Sequence, residues 1–280
     1  MTSQRLRAPL LLALAAAAFA GEARAIVGGS VDAGDPAVAM VVNTSNQSLC
    51  SGTLLRSQVY LTAAHCLLGD TDPSHYMVLG GTSPLNVAPD WTASVTGVVP
   101  NPAFDVATGA HNEGILQLAT PAPVAPLPWL ASDPGGVYAP GAPFTAVGYG
   151  VTNPNQSATA GVKRSVDLAL GTIDPATFLS DSTGGMGPCE GDSGGPALAV
   201  VNQTKTLIGV ISQGDPACGQ DALYARTDAD EAFIRTYAPE PNSGVAGSLA
   251  AGVVALLSHA RARLLRTPGG RRRIGVPRRL

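Results

Sequence analysis

Short apolar runs recur along the chain: AVAMVV (37–42), TLLRSQVYLTA (53–63), GILQL (114–118), FTAVGYG (144–150), SVDLAL (165–170), PALAVV (196–201) and TLIGVIS (206–212). Clusters of Gly, Pro, Asn, Asp and Ser separate them, the spacing expected of a β-sandwich or β-barrel. PAPVAPLPWLASDPGGVYAPGAP (121–143) carries too many prolines for the interior of a paired strand and reads as a crossing between two halves. TDADEAFIRTYA (227–238) predicts a helix: Thr227 is placed to cap it, Asp230 lies three residues on, and Phe233, Ile234 and Tyr237 share a face. No repeat of 20–50 residues is visible.

Composition sharpens the β reading. Aromatic residues make up 5% and charged residues 13%, against 33 Gly and 23 Pro in 280 residues, which suits a turn-rich all-β chain. Charge is strongly partitioned. Residues 1–25 carry three Arg and one Glu, net +2; residues 26–238 carry six Lys/Arg and eighteen Asp/Glu, net −12; residues 239–280 carry eight Arg and one Glu, net +7. A body this acidic argues against nucleic-acid binding, which needs positive charge against phosphate.

The two ends read as targeting segments. Arg5 and Arg7, an apolar run and Ala23-Arg24-Ala25 form a secretory signal over 1–25, with a rival cleavage site before Gly21. Export implies an oxidising compartment, so the four cysteines are expected in two disulfides, with three pairings open. After Tyr237 come Pro239-Glu240-Pro241, the apolar run GVAGSLAAGVVALL (244–257) and the eight arginines. Its fourteen residues fall short of the roughly 20 that span a bilayer as a helix. Flanking Ser243 and Ser258 and a snorkelling Arg261 can extend it; the alternative is a basic tail with an apolar patch. The order also resembles PEP-CTERM sorting tails, which implies transient membrane contact until a sorting transpeptidase removes the segment.

CEGDSGGP (189–196) carries the sharpest chemistry. A serine between glycines on a tight turn presents its hydroxyl and nearby backbone N–H groups to a carbonyl. His65 in LTAAHC (61–66) follows an expected strand and supplies a base, and IVGG (26–29) stands at a plausible mature N-terminus. These motifs, with SGTLL (51–55) and GYG (148–150), resemble the chymotrypsin/trypsin family of serine endopeptidases over about residues 26–238.

The resemblance implies two antiparallel six-stranded β-barrels, about 26–125 and 140–226, a C-terminal helix, and then the apolar segment and basic tail of 239–280. It implies Ser193 as nucleophile, His65 as general base, and the Gly191 and Ser193 N–H groups as oxyanion hole. It also implies bridges Cys50–Cys66 and Cys189–Cys218, and a buried pair between Asp192 and a free Ile26 α-amine. Signal peptidase cutting after Ala25 would expose Ile26 directly, so export itself would mature the chain. Gly187 stands where trypsin-like members have a pocket-floor Asp; Ser212, Gly214 and Ala222 match the pocket walls. A polypeptide cut after small or medium apolar residues is the expected substrate, with Asp215 and Asp221 as nearby acids. Gln213 replaces the usual Trp. No cofactor or metal is expected, and a monomer is. Asp70 and Asp72 read as turn residues, since Ca²⁺ takes six or more oxygens. The sequons at Asn43, Asn46, Asn155 and Asn202 read as polar loops.

One position departs from the family pattern. GILQL and the lead-in NPAF (101–104) place Asn112 where the family has the triad Asp, with Glu113 beside it. Neighbouring strand side chains point to opposite faces, so Glu113 would serve only through a local bulge. Three readings stay open: a protease using Glu113 or Asp105, a slow protease with an Asn-assisted His65, or a protease-shaped binding protein.

Overall fold

The computed structural model describes residues 26–182 and 184–239; the leader of 1–25 and the tail beyond Pro239 lie outside the described residues. Residues up to Asp230 form one unit, and the helix from Glu231 belongs to a second. The first unit is built almost wholly of antiparallel strands.

The first barrel closes in the order β2-β3-β4-β7-β6-β5. Its strands are β2 (Val38–Asn43), β3 (Ser48–Arg56), β4 (Val59–Ala63), β5 (Tyr76–Gly80), β6 (Trp91–Pro100) and β7 (Glu113–Leu118). Alternation of side chains sends Ala39, Val41, Leu54, Tyr60, Val78, Trp91, Leu116 and Leu118 into one core. The second barrel comprises β8 (Pro143–Gly148), β9 (Arg164–Ile173), β10 (Thr177–Asp181), β11 (Pro196–Val201), β12 (Thr204–Gln213) and β13 (Leu223–Arg226), closed by pairing of β8 with β9. Its core centres on three rings: Phe178 stacks on Tyr224 at 4.8 Å, and Phe144 meets both edge-on. Each such pair adds about 0.5–1.5 kcal/mol beyond its buried area. The two barrels and the helix are thus as the family resemblance implied.

β1 (Ser30–Val31) pairs with β9, so the start of the described chain joins the second barrel and not the first. The proline-rich crossing forms no strand; Trp129 alone makes an isolated bridge, to Leu207. In the second unit, α1 (Glu231–Tyr237) carries an Arg235–Glu231 ion pair and a Phe233–Tyr237 ring contact. Thr227 does not cap it. The Thr227 hydroxyl donates to Leu130 O at 2.9 Å, and a turn separates it from the first helical residue. Asn43 also differs from its reading as a loop residue: it ends β2, is 2% exposed, and donates to Asp70. Among the described residues no helix is long and apolar enough to cross a membrane.

Candidate functional site

His65 sits on the 3₁₀ turn Ala64–Leu67 that follows β4. β4 pairs with β7 so that Ala63 faces Glu113, and the Ala64 N–H donates to Asn112 O at 3.0 Å. This register carries Asn112 to the His65 ring. The Asn112 Oδ1 accepts the His65 backbone N–H at 3.0 Å, and its Nδ2 lies 2.8 Å from His65 Nδ1. The same Nδ2 donates to Ser212 Oγ at 2.8 Å, while the Ser212 hydroxyl donates to Gly109 O at 2.9 Å. Every polar atom of this fully buried amide is therefore engaged.

That network fixes which way the amide points. Turning it over would set NH₂ against the His65 backbone N–H, donor against donor. A backbone N–H cannot exchange its role, so the oxygen stays there and the NH₂ faces Nδ1. A neutral ring that accepts at Nδ1 carries its proton on Nε2. Burial holds the His65 imidazole below its usual range, favouring the neutral ring. Phe104, from the NPAF lead-in, covers the ring at 6.4 Å between centroids.

The alternative acids are occupied elsewhere. Glu113 is fully buried beside Asp230, away from His65, and neither carboxylate oxygen has a hydrogen-bond partner among the described residues. Burial, and then the neighbouring Asp230, push its carboxyl well above the usual carboxylate range. Asp230 in turn accepts from Asn101 Nδ2 at 2.7 Å and pairs with His111 Nδ1 at 3.0 Å. Asp105 accepts Ala107 N–H and the Thr108 hydroxyl within its own loop.

The second barrel contributes the Ser193 turn. Ser51, from SGTLL, ties that turn to the first barrel: its N–H donates to Ser193 O at 2.8 Å and its hydroxyl to Gly191 O at 3.0 Å. Tyr149 N–H donates back to Ser51 Oγ at 2.9 Å. Gly191 has φ +93°, a region its lack of Cβ permits. Among the described residues neither the Gly191 nor the Ser193 N–H donates to a backbone carbonyl.

Asp192 is fully buried and accepts the N–H groups of Gly150 and Cys189 at 2.7 and 2.8 Å. A Cβ at Gly148 or Gly150 would come within 2.2 or 2.6 Å of this carboxylate, which accounts for both glycines of GYG. Burial pushes the Asp192 carboxyl up to about 7. Ile26 is fully buried, and Val27 forms a two-way backbone bridge with Gly187 at 3.0 and 3.1 Å.

Around the expected pocket, a Cβ on Gly187 would meet Gln220 O at 3.1 Å, so a larger residue at this position would press on the 220 backbone. Asp221 accepts the Ser182 N–H, Ala222 is fully buried against Ser180, and Gly214 lies against Pro188 O. Gln213 is exposed. The disulfides are Cys50–Cys66 and Cys189–Cys218. Cys50, His65 and Cys66 ligand atoms lie within 4.8 Å of one another, but both sulfurs are joined in the disulfide and cannot act as thiolate ligands. Asp70 and Asp72 order a turn: Asp70 takes Asn43, Ser45 and His75, and Asp72 takes Ser74 N–H.

Three residues of this site carry parts that sequence reasoning did not assign. SGTLL was one of the matched motifs, yet Ser51 had no role. Ser212 was placed in the pocket wall, whereas its hydroxyl also braces Asn112. Gly109 approaches so closely that a Cβ would meet Leu223 at 2.6 Å and Ser212 Oγ at 3.0 Å.

Comparison with known proteins agrees with this architecture. The family model described as Trypsin matches residues 26–233. A trypsin of Saccharopolyspora erythraea is 32% identical over 207 residues, 69% of this chain and 88% of that protein. Serine protease 56 of Mus musculus is 30% identical over 189 residues, 61% of this chain but 31% of that protein. Glucanase inhibitor protein 1 of Phytophthora sojae is 27% identical over 224 residues, 75% of this chain and 86% of that protein. With two closed barrels, two disulfides and a match across most of its length, this chain belongs to the trypsin family.

Proposed function

We propose that the protein is an exported serine endopeptidase whose turnover is held low by Asn112, and that it binds extended polypeptide in the cleft between its barrels. In this reading Ser193 attacks the scissile carbonyl, His65 takes and returns its proton, and the Gly191 and Ser193 N–H groups stabilise the oxyanion. The observation that carries the reading is the Asn112 amide with its NH₂ against His65 Nδ1. That contact favours Nε2–H, and a protonated Nε2 has no lone pair with which to accept the Ser193 proton. Reaction must then proceed through the minor tautomer. The imidazolium that forms also meets an NH₂ in place of a carboxylate.

Maturation by cleavage after Ala25 would place a free Ile26 amine to pair with Asp192. The burial of both residues supports this, and so does the bridge that Val27, next to Ile26, makes to Gly187 at the expected pocket floor. The lack of an acidic side chain at Gly187 supports a preference for small or medium apolar residues at the cleaved bond. Two disulfides suit an oxidising compartment, in keeping with export and with the sorting-tail reading of 239–280.

The deciding experiment is hydrolysis of Ala-, Val- and Leu-ending peptide substrates by a chain beginning at Ile26, beside Asn112→Asp and Glu113→Gln. A large gain in Asn112→Asp with no change in Glu113→Gln is expected. Loss of activity in Glu113→Gln would overturn the assignment of Asn112. A second reading, a protease-shaped binding protein without turnover, is favoured by one observation: a relative that aligns over 86% of its length is named a glucanase inhibitor protein. A folded Asn112→Asp variant without turnover would establish that reading.

A further inference from the structure

The amide that slows the centre also changes what it can hold. In the orientation fixed by the His65 backbone N–H, both N–H bonds of Asn112 are used, one on His65 Nδ1 and one on Ser212 Oγ. The proton of the neutral ring is left on Nε2, on the side away from Asn112. Ser51 ties β3 to the Ser193 turn, and Cys66 Sγ, next to His65 in the chain, lies 3.9 Å from Ser193 O. Nε2 then presents a donor where a hydrolytic enzyme presents a lone pair. The Ser193 hydroxyl is released from donating to it.

In the catalytic reading given above, four donors would meet at one place: His65 Nε2–H, Ser193 Oγ–H and the N–H groups of Gly191 and Ser193. A scissile amide carbonyl has one oxygen with two lone pairs and can satisfy only part of this set. A carboxylate has two oxygens and about four lone-pair sites. One negative charge that the family places beside the imidazole is missing here as well. Position 112 is an uncharged amide, and Glu113 is buried beside Asp230.

We propose that the His65–Ser193 centre captures the C-terminal carboxylate of a peptide ending in a small apolar residue. The peptide would lie extended along Ser212–Gly214, as a strand added to an exposed backbone edge. The proposal rests on the Asn112 reading given under the proposed function. It changes the preferred ligand from an internal peptide bond to a chain end.

The test compares acetyl-Ala-Ala-Val-Ala as free acid and as carboxamide, by calorimetric titration of the full chain at pH 7. Hydrogen bonds to an ionised acceptor are about twice as strong as neutral ones, so the acid should bind about tenfold more tightly or better. Asn112→Asp restores a lone pair at Nε2 and adds a negative charge, so the acid preference should vanish or reverse. In the unsubstituted protein, ¹⁵N spectra of His65 should show the Nε2–H tautomer, with that resonance moving when the acid is added. Equal affinity for acid and amide, no binding of the acid, or an Nδ1–H tautomer would each overturn the proposal. A large activity gain in Asn112→Asp without acid preference in the unsubstituted protein removes carboxylate capture and leaves the slow protease. Acid preference without that gain does the reverse.

Discussion

The two barrels bring unequal halves to the cleft. The second barrel carries the Ser193 turn, where among the described residues the Gly191 and Ser193 N–H groups have no backbone partner, and Asp192 is buried on two N–H donors. The first carries His65 with an amide where the family has a carboxylate. Yet the His65 corner is not loosened: Asn112 is as buried and as fully hydrogen-bonded as Asp192. The difference is one of charge: a carboxylate in one corner and an amide in the other. A buried polar group can be fully hydrogen-bonded with or without a charge, so burial and satisfied partners alone do not show what a site can do.

The strongest way to break the contrast is Asn112→Asp. In an enzyme of this fold, replacing the triad Asp by Asn lowers kcat about 10⁴-fold, so the reverse change is expected to raise kcat by a similar factor, about 5 kcal/mol. Steady-state kinetics on a chain beginning at Ile26 check it. A gain under tenfold would mean that the two corners differ by more than Asn112.

Next comes the buried acid of the second barrel. Its carboxyl is raised to about 7, above the unfolded value of 3.8, so the neutral form is the one the unprocessed fold prefers. The stability this contributes is present below pH 3.8 and is lost as pH rises through 7, on the order of 4 kcal/mol for about three units. A free Ile26 ammonium would hold Asp192 ionised and reverse that trend. Urea midpoints from pH 4 to pH 8 should fall more steeply for the unprocessed chain than for one beginning at Ile26. Parallel curves would show that Asp192 has no such partner.

A smaller effect concerns His65. Burial lowers its pKa, so the acidic limb of the kcat/KM profile should lie below pH 6.5. An Asp at 112 favours the imidazolium and should move that limb up by about one unit or more. Smallest is Glu113→Gln. A neutral glutamine keeps the shape of the protonated acid, so kcat should not change. The wild-type carboxyl is raised by burial, and its contribution is lost as pH rises through the folded value. Above that value the variant should be more stable, by about 1 kcal/mol, in chemical denaturation.

Much of the fold was legible because strands with continuous apolar runs announce themselves. β2, β7, β8 and β11 do so; β6, with Thr92, Ser94 and Thr96 on its outer face, and β13, which ends in Arg226, do not. β1 is too short for any periodicity to show. The alternation along GILQL set Asn112 and Glu113 on opposite faces but left open a bulge that would bring Glu113 to His65. The direction of the Asn112 amide was not readable, because it is set by the backbone N–H of a residue 47 positions away. Nor was the partner of Glu113. An acid opening an apolar strand was the visible signal, and Asp230, more than a hundred residues on, is known only once the chain is folded.

Ser51 has a mechanical consequence. Three hydrogen bonds at this one fully buried residue join the strand that leads toward Cys50 and the turns that carry Tyr149, Gly191 and Ser193. To slide one barrel past the other would break all three together, with no water at hand to replace them. The junction at Ser51 therefore acts as a single rivet: a shift of one barrel against the other has to release it whole or not at all.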